Sequence, residues 1–396
     1  MKKWFNIFNI YVFLLVLYEY LTMKGASAMS TYLSLGPSIA IAVYYIAKAL
    51  EMPKSSYMKA LTLFICMMIV YGLIRFIGGE TLYAGEASRP QSFILLFMHQ
   101  MPAVLVFYML AKEDKIRIID LKLWLFVFLL MAYLHYQHNY ELFLAKMSII
   151  GSTMEEMTNN MGYLFLSILP FVVLFYKKPW IQYAIIAIVG FFVINSAKRG
   201  AILLFALSFA FFLYVNMKNK SLSSWGKLLV YVFSFVVVVV GFNYLQRHFL
   251  ESDYFYLRYT ETMEGNSSGR DWIYSDIWHH YINEYNFFQM IFGGGIESTL
   301  RYIRFYAHND WLQLLSDCGL FGLSVYVFYW KSYCKTMIDY KRNGSNDNIY
   351  ILIVTAFIIA FGKTLFSMSY TDMPVSLAIA IGYGMANAEK INFPIL

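Results

Sequence analysis

The sequence predicts an all-α integral membrane protein. The expected form is a polytopic bundle of about 12 transmembrane helices with one large loop outside the membrane that contains an amphipathic helix. Three observations carry this. First, 60% of the 396 residues are hydrophobic and only 14% are charged, against about 25% charged in soluble domains. Second, apolar stretches of about 17–22 residues recur, the length that a bilayer core demands. Third, lysine and arginine gather in alternate connecting segments, as the positive-inside rule requires. The 34 Tyr and 35 Phe suit aromatic belts at two interfaces. The formal charge of +7 resides mostly in short loops and does not suggest nucleic acid.

The spans are read near 4–22, 30–50, 57–78, 91–111, 121–137, 160–176, 180–197, 199–217, 226–246, 311–334, 348–369 and 373–388. The segment after Lys2-Lys3 is long enough to cross and is followed by no small-residue cleavage site, so it is read as a span and not a signal peptide. If the stretch around 195–200 is one helix and not two, the count falls to about eleven. Pro37, Pro102 and Pro170 are expected to kink their helices. Residues 1–246 thus carry helices one to nine, 247–307 form the loop, and 308–396 carry the last three. Cys66, Cys318 and Cys334 have no metal-binding spacing and are read as free thiols.

Charge sets the orientation. With the N-terminus cytoplasmic, inside segments hold clusters such as Lys2-Lys3, Lys112 to Arg117, Lys177-Lys178 and Lys341-Arg342. The short outside loops hold only Lys24, Arg89, Lys146, Lys198 and Arg199. Both termini are then cytoplasmic, and the long loop is outside. That loop carries Trp272, Trp278, Tyr281, Tyr285, Phe287 and Phe288. Their spacing predicts an amphipathic helix over 271–291, lying on the membrane surface or capping the bundle. Gly293-Gly294-Gly295 ends it and turns the chain.

Three segments then stand out on the outer side: Asn195-Ser-Ala-Lys-Arg-Gly200, Ser267-Ser-Gly-Arg-Asp-Trp272 and Ala307-His-Asn-Asp-Trp-Leu-Gln313. Arg199 opens a helix, where backbone N–H groups and the dipole favour anions; with Lys198 and Gly200 it makes a phosphate-binding corner. The plain alternative is a snorkelling arginine that anchors the helix end. Arg270 follows a small, flexible run that lets backbone approach an anion, or it is a solvated loop residue. His308 precedes a helix that Asn309 or Asp310 would cap. The helix dipole there favours the neutral imidazole, the form a general base needs; the alternative is a loop histidine that helps the cap. Gln313 faces either the same cavity or a neighbouring helix. Gly319 and Gly322 suit close helix packing. Arg75 and Lys363 sit near outer span ends and are further phosphate contacts or local ion-pair members, with Glu19 a partner for either. No Asp-x-Asp motif or His/Cys cluster marks a metal site, and none is expected; nor is a cofactor. Arginines supply charge stabilisation without one.

Together these marks resemble the O-antigen ligase and polymerase family of bacterial envelope glycosyltransferases. The resemblance rests on Ser196-Ala-Lys-Arg-Gly200, on Ser268-Gly-Arg270, and on His308-Asn-x-x-Leu-Gln313 followed by Gly319-x-x-Gly322, in that order around one long loop. It covers about 160 to 335. Asp317 stands where glutamate is more readily expected, and Lys198 where a small or polar residue is. The resemblance implies a GT-C-like helical bundle in the bacterial inner membrane, with the site facing the periplasm. It implies glycan transfer from undecaprenyl diphosphate to a sugar hydroxyl, inverting and without metal. Arg199 and Arg270 would hold the diphosphate, and His308 would take the acceptor proton. The partners implied are the lipid-linked donor, a glycan acceptor (a lipid-linked repeat unit or lipid A–core) and the bilayer; a chain-length regulator protein is admitted.

The polymerase reading is preferred on resemblance, with ligase as the alternative. A lipid-linked oligosaccharide flippase is the reading from another class. It predicts charges through the depth of the bundle and inverted repeats, whereas the unusual charges here gather at one face. A non-enzymatic scaffold has no need of outward arginines.

Overall fold

The computed structural model describes residues 6–25, 28–52, 55–79, 90–147, 161–196, 198–218, 269–344 and 347–390, together with 232 and 243. The described residues are helical, with no strand among them. Among the described residues six helices are long and apolar enough to cross a membrane: Met29–Glu51, Ser56–Gly78, Phe93–Lys112, Ile118–Asn139, Asp310–Asn343 and Asp347–Phe366. Four of the expected spans appear as shorter apolar helices: Ile7–Met23, Met161–Phe175, Trp180–Asn195 and Arg199–Val215. The expected last span is the helix Val375–Lys390, and the one at 226–246 falls outside the described residues.

The chain forms two compact units. The first comprises residues 1–120, 269–353 and 363–396. It begins with α1 (Ile7–Met23), α2 (Ala28–Glu51), α3 (Ser56–Gly78), α4 (Pro90–His99) and α5 (Met101–Lys112). Pro102 lies in the first turn of α5, where its missing N–H costs nothing, and the chain breaks at Gln100. The second unit comprises residues 121–268 and 354–362. It holds most of α6 (Ile118–Met147), then α7 (Met161–Leu166), a 3-10 turn Leu169–Phe175 that Pro170 opens, α8 (Pro179–Asn195) and α9 (Arg199–Lys218).

The first unit continues with α10 (Arg270–Asn283), α11 (Phe287–Phe292), α12 (Thr299–Tyr302), α13 (Asp310–Asn343) and, after α14 (Asp347–Phe366), α15 (Val375–Lys390). The single amphipathic helix expected over 271–291 is corrected here to two, α10 and α11. The reason is local. Asn286 accepts from the Gln289 N–H at 3.0 Å while Gln289 Oε1 accepts from the Asn286 N–H at 3.1 Å. This capping box starts a new helix. Gly293 then ends α11 at φ 80, as the sequence implies.

Between apolar helices, association rests on packing and interhelical hydrogen bonds. The seam of α3 and α13 shows both. Phe64 meets Tyr326 at 5.1 Å between ring centroids, and Tyr57 meets Tyr329 at 5.8 Å. Ser56 and Ser332 share a hydrogen bond at 3.2 Å. Helix α15 is almost wholly buried against α5. Gly382 makes this approach possible, since a Cβ there would lie 2.6 Å from the Val104 carbonyl oxygen.

One break shapes the site. Gly319 interrupts α13 at φ 62, ψ −161, a conformation essentially reserved for glycine. The carbonyls of Ser316 and Asp317 are thereby released from the helix ladder. The triglycine turn takes them: Gly294 N–H donates to Ser316 O at 2.8 Å and Gly295 N–H to Asp317 O at 2.9 Å. Side chains cannot fit there, because a Cβ on Gly319 would lie 2.4 Å from Ile291 O and one on Gly293 2.2 Å from Asp317 O.

Candidate active site

The start of α13 positions the histidine. Asn309 is the N-cap, and its Oδ1 accepts from Trp311 N at 2.9 Å and Leu312 N at 3.1 Å, as expected for a short polar side chain. His308 precedes it, exposed, with φ 51. Such a backbone angle is uncommon outside glycine and needs support from its surroundings. Gln313 gives that support: its Oε1 accepts from the buried Ala307 N–H at 2.9 Å. Its Nε2 donates to Thr299 Oγ1 at 3.2 Å and to Asp317 Oδ1 at 3.0 Å. Asp317 also accepts from Ser298 N at 2.9 Å and Ser298 Oγ at 2.8 Å. Gln313 therefore acts on the turn through its backbone, with both ends of its amide bonded to protein groups.

Arg270 is the first residue of α10, half-buried, after Gly269 at φ 76. Helix α10 docks on the histidine turn: Ile273 and Ile277 pack with Ala307, and Tyr274, Tyr302, Ile303 and Leu312 surround them. Tyr274, one turn below Arg270, interacts with the Asn309 side chain. Burial raises the Tyr274 phenol while the Arg270 charge draws it back down. His280, farther along α10, stacks on Tyr302 at 3.8 Å. Arg270 thus opens a helix that packs against Ala307, the residue before His308.

A cleft of about 210 Å³ opens beside this turn, lined by Phe93, Phe97, Glu297, Tyr306, Gln313 and Asp317 among others. Glu297 is buried with φ 57. It forms an ion pair with Arg75, itself buried, and accepts from the Tyr306 hydroxyl at 2.7 Å. Burial raises the Tyr306 phenol, and the nearby Arg75 charge partly offsets this, so the hydroxyl remains a donor. Lys363 is likewise buried and donates to Asp372 Oδ2 at 2.6 Å. Both cations found acidic partners other than Glu19. Sequence reasoning missed Glu297 and Tyr306, and Arg301, whose guanidinium bonds to Gly294 O. An acid just beyond three glycines was the only signal.

Arg199 and Lys198 belong to the second unit. Arg199 is the first residue of α9, half-buried. Lys198 N–H donates to Ser196 Oγ at 3.4 Å, and Lys198 Nζ lies 5.9 Å from the centre of the Tyr163 ring. Ser196 is buried against Gly162, where a Cβ would come within 2.4 Å of its Oγ. Ser267 and Ser268 lie outside the described residues. Among the described residues no group of three or more His, Cys, Asp or Glu is placed to hold a metal ion.

The family model described as O-antigen ligase matches residues 183–327. This stretch contains Arg199, Arg270, Glu297, His308 and Gln313. No curated protein matches the chain.

Proposed function

We propose that this chain, whose residues 183–327 match the O-antigen ligase family model, is a surface-polysaccharide polymerase. It joins undecaprenyl-diphosphate-linked repeat units on the periplasmic side of the inner membrane. The observation that supports the reading is the packing of α10, which begins at Arg270, against Ala307, the residue before His308, within the matched stretch.

The step follows from those two groups. His308 accepts the proton of an acceptor hydroxyl while the oxygen attacks the anomeric carbon. The bond from that carbon to the diphosphate oxygen breaks with inversion, and the electron pair leaves with undecaprenyl diphosphate. Arg270 stabilises the charge on the departing group through paired hydrogen bonds that lysine cannot make. No metal is assigned a part. Arg199 with Lys198 at the head of α9 is proposed as a phosphate-binding corner in its own right. A chain-length regulator is a proposed partner, and both termini are proposed to be cytoplasmic.

The family description favours a second reading, ligation of the finished polymer to lipid A–core. A lipopolysaccharide gel of a deletion strain separates the two. Core plus a single repeat marks a lost polymerase. Bare core, with accumulated lipid-linked polymer, marks a lost ligase. Complementation with Arg270→Ala or Arg199→Ala is expected to give no polymer despite normal membrane levels. His308→Ala is expected to slow turnover about 10²–10⁴-fold, the usual contribution of a general base. Normal polymer from any of the three removes that residue from the mechanism.

A further inference from the structure

The cleft beside the histidine turn has a lining that the transfer step leaves unassigned. One wall is flat and apolar: Phe93 and Phe97, one helical turn apart, hold their rings nearly parallel at 11° with centroids 5.8 Å apart. Tyr370 adds a third ring. The same cleft is lined by oxygen-bearing residues, Glu297, Asp317 and Tyr306. Among the described residues the lining includes two acids and no lysine or arginine. An anionic ligand gains little here, because the nearby Arg75 cation is already held by Glu297. A neutral polyol fits, because carboxylates accept from its hydroxyls in charge-assisted bonds while its C–H faces lie on aromatic rings.

Backbone geometry adds an independent sign. Glu297 holds φ 57 and His308 holds φ 51, and such angles cluster at sites whose surroundings over-determine them. The two residues are linked through the cleft wall. Tyr306 donates to Glu297 at 2.7 Å, Ala307 follows it, and the Ala307 N–H is held by Gln313, another lining residue.

We infer that this cleft binds an uncharged sugar ring of the acceptor glycan, with Phe93 and Phe97 as its stacking surface and Tyr306 and Glu297 as its hydroxyl contacts. The assignment to the acceptor rests on the transferase reading above; the sugar-binding chemistry of the cleft does not. The donor diphosphate is assigned to the helix-start arginines of the proposed function and not to this cleft.

The test uses the full-length protein in lipid nanodiscs and two probes: the unphosphorylated repeat-unit oligosaccharide and inorganic pyrophosphate. Saturation-transfer NMR reads binding of the sugar. Tyr306→Phe removes one hydroxyl contact, and Leu96→Trp fills the cleft from an exposed wall position, sparing the buried Arg75–Glu297 pair. Each is expected to weaken oligosaccharide binding about tenfold, the effect of losing one such contact, with pyrophosphate failing to displace the sugar. The acceptor KM should rise by the same factor with the donor KM unchanged. Wild-type affinity in both variants, absence of oligosaccharide binding to the wild type, or displacement by pyrophosphate overturns the inference. Sugar binding that the variants weaken, in a protein that shows no transfer, sinks the transferase reading and supports the cleft. Transfer with unchanged acceptor KM in both variants does the reverse.

Discussion

Replacing Gln313 by leucine tests how the histidine turn is held. Gln313 is 1% exposed, and its amide reaches three chain segments at once. In the leucine variant the Ala307 N–H, fully buried, loses its acceptor. Stranding such a donor costs about 1–3 kcal/mol. Asp317 loses one donor yet keeps the two from Ser298, so this adds about 1 kcal/mol. The expected destabilisation is therefore about 2–4 kcal/mol. Because Ala307 precedes His308, the positive-φ geometry of the histidine loosens too, and turnover should fall more than the folded fraction. The assay is thermal unfolding of the purified protein followed by tryptophan fluorescence, for which Trp311 is a local reporter, together with turnover on lipid-linked donor at a temperature where the variant is folded. Wild-type stability would refute the hydrogen-bond accounting. Lower stability with unchanged turnover would refute the claim that this turn carries the base.

Three further outcomes are expected. Gly319→Ala should lower stability by more than about 3 kcal/mol, since it forces alanine into a glycine-only conformation and drives Cβ to 2.4 Å from Ile291 O; denaturant or thermal unfolding reads this, and a neutral change would refute the clamp on the triglycine turn. Burial holds His280 below its ordinary value of 6.5, so below about pH 6.5 the unfolded chain takes up the proton first. The stability it contributes is full above that pH and is lost as pH falls through the lower, folded value; His280→Phe should flatten this slope in a pH series of melting curves. Arg75→Met alone should cost about 3–5 kcal/mol by stranding Glu297, and Arg75→Met with Glu297→Met much less; equal melting losses in both would show that the pair is not the source.

Helix positions were legible because a bilayer demands long apolar runs, and the observed helices sit on the expected ones. Breaks were less so. Gly319 reads in sequence as a small residue suited to close packing; its role as a helix interruption depends on Ile291 and Gly293, which lie far back in the chain. The break between α10 and α11 was written locally, as Asn286-x-x-Gln289, but the aromatic spacing across it masks that signal. Arg270 and His308 were legible as polar residues in unusual places. Their cleft was not: Glu297 finds Arg75 across 222 residues of chain, and no periodicity announces a pairing of that kind.

The same pairings bear on where phosphate is bound. Cations on the non-cytoplasmic face need a reason to be there, and on the proposed orientation Arg75 and Lys363 have one, since each is buried against an acid, Glu297 or Asp372. A diphosphate that recruited Arg75 would have to displace Glu297 and leave a carboxylate buried without its partner, at about 3–5 kcal/mol. Arg270, half-buried at the head of α10, is proposed to serve the leaving group instead, and Arg199 at the head of α9 is proposed to add its charge and the N–H groups of a helix start. The proposed division of labour follows from this asymmetry. Cations at helix starts are proposed for the leaving group. Arg75, already paired with Glu297, ties the loop to α3 and leaves the Tyr306–Glu297 wall facing a cleft suited to hydroxyls.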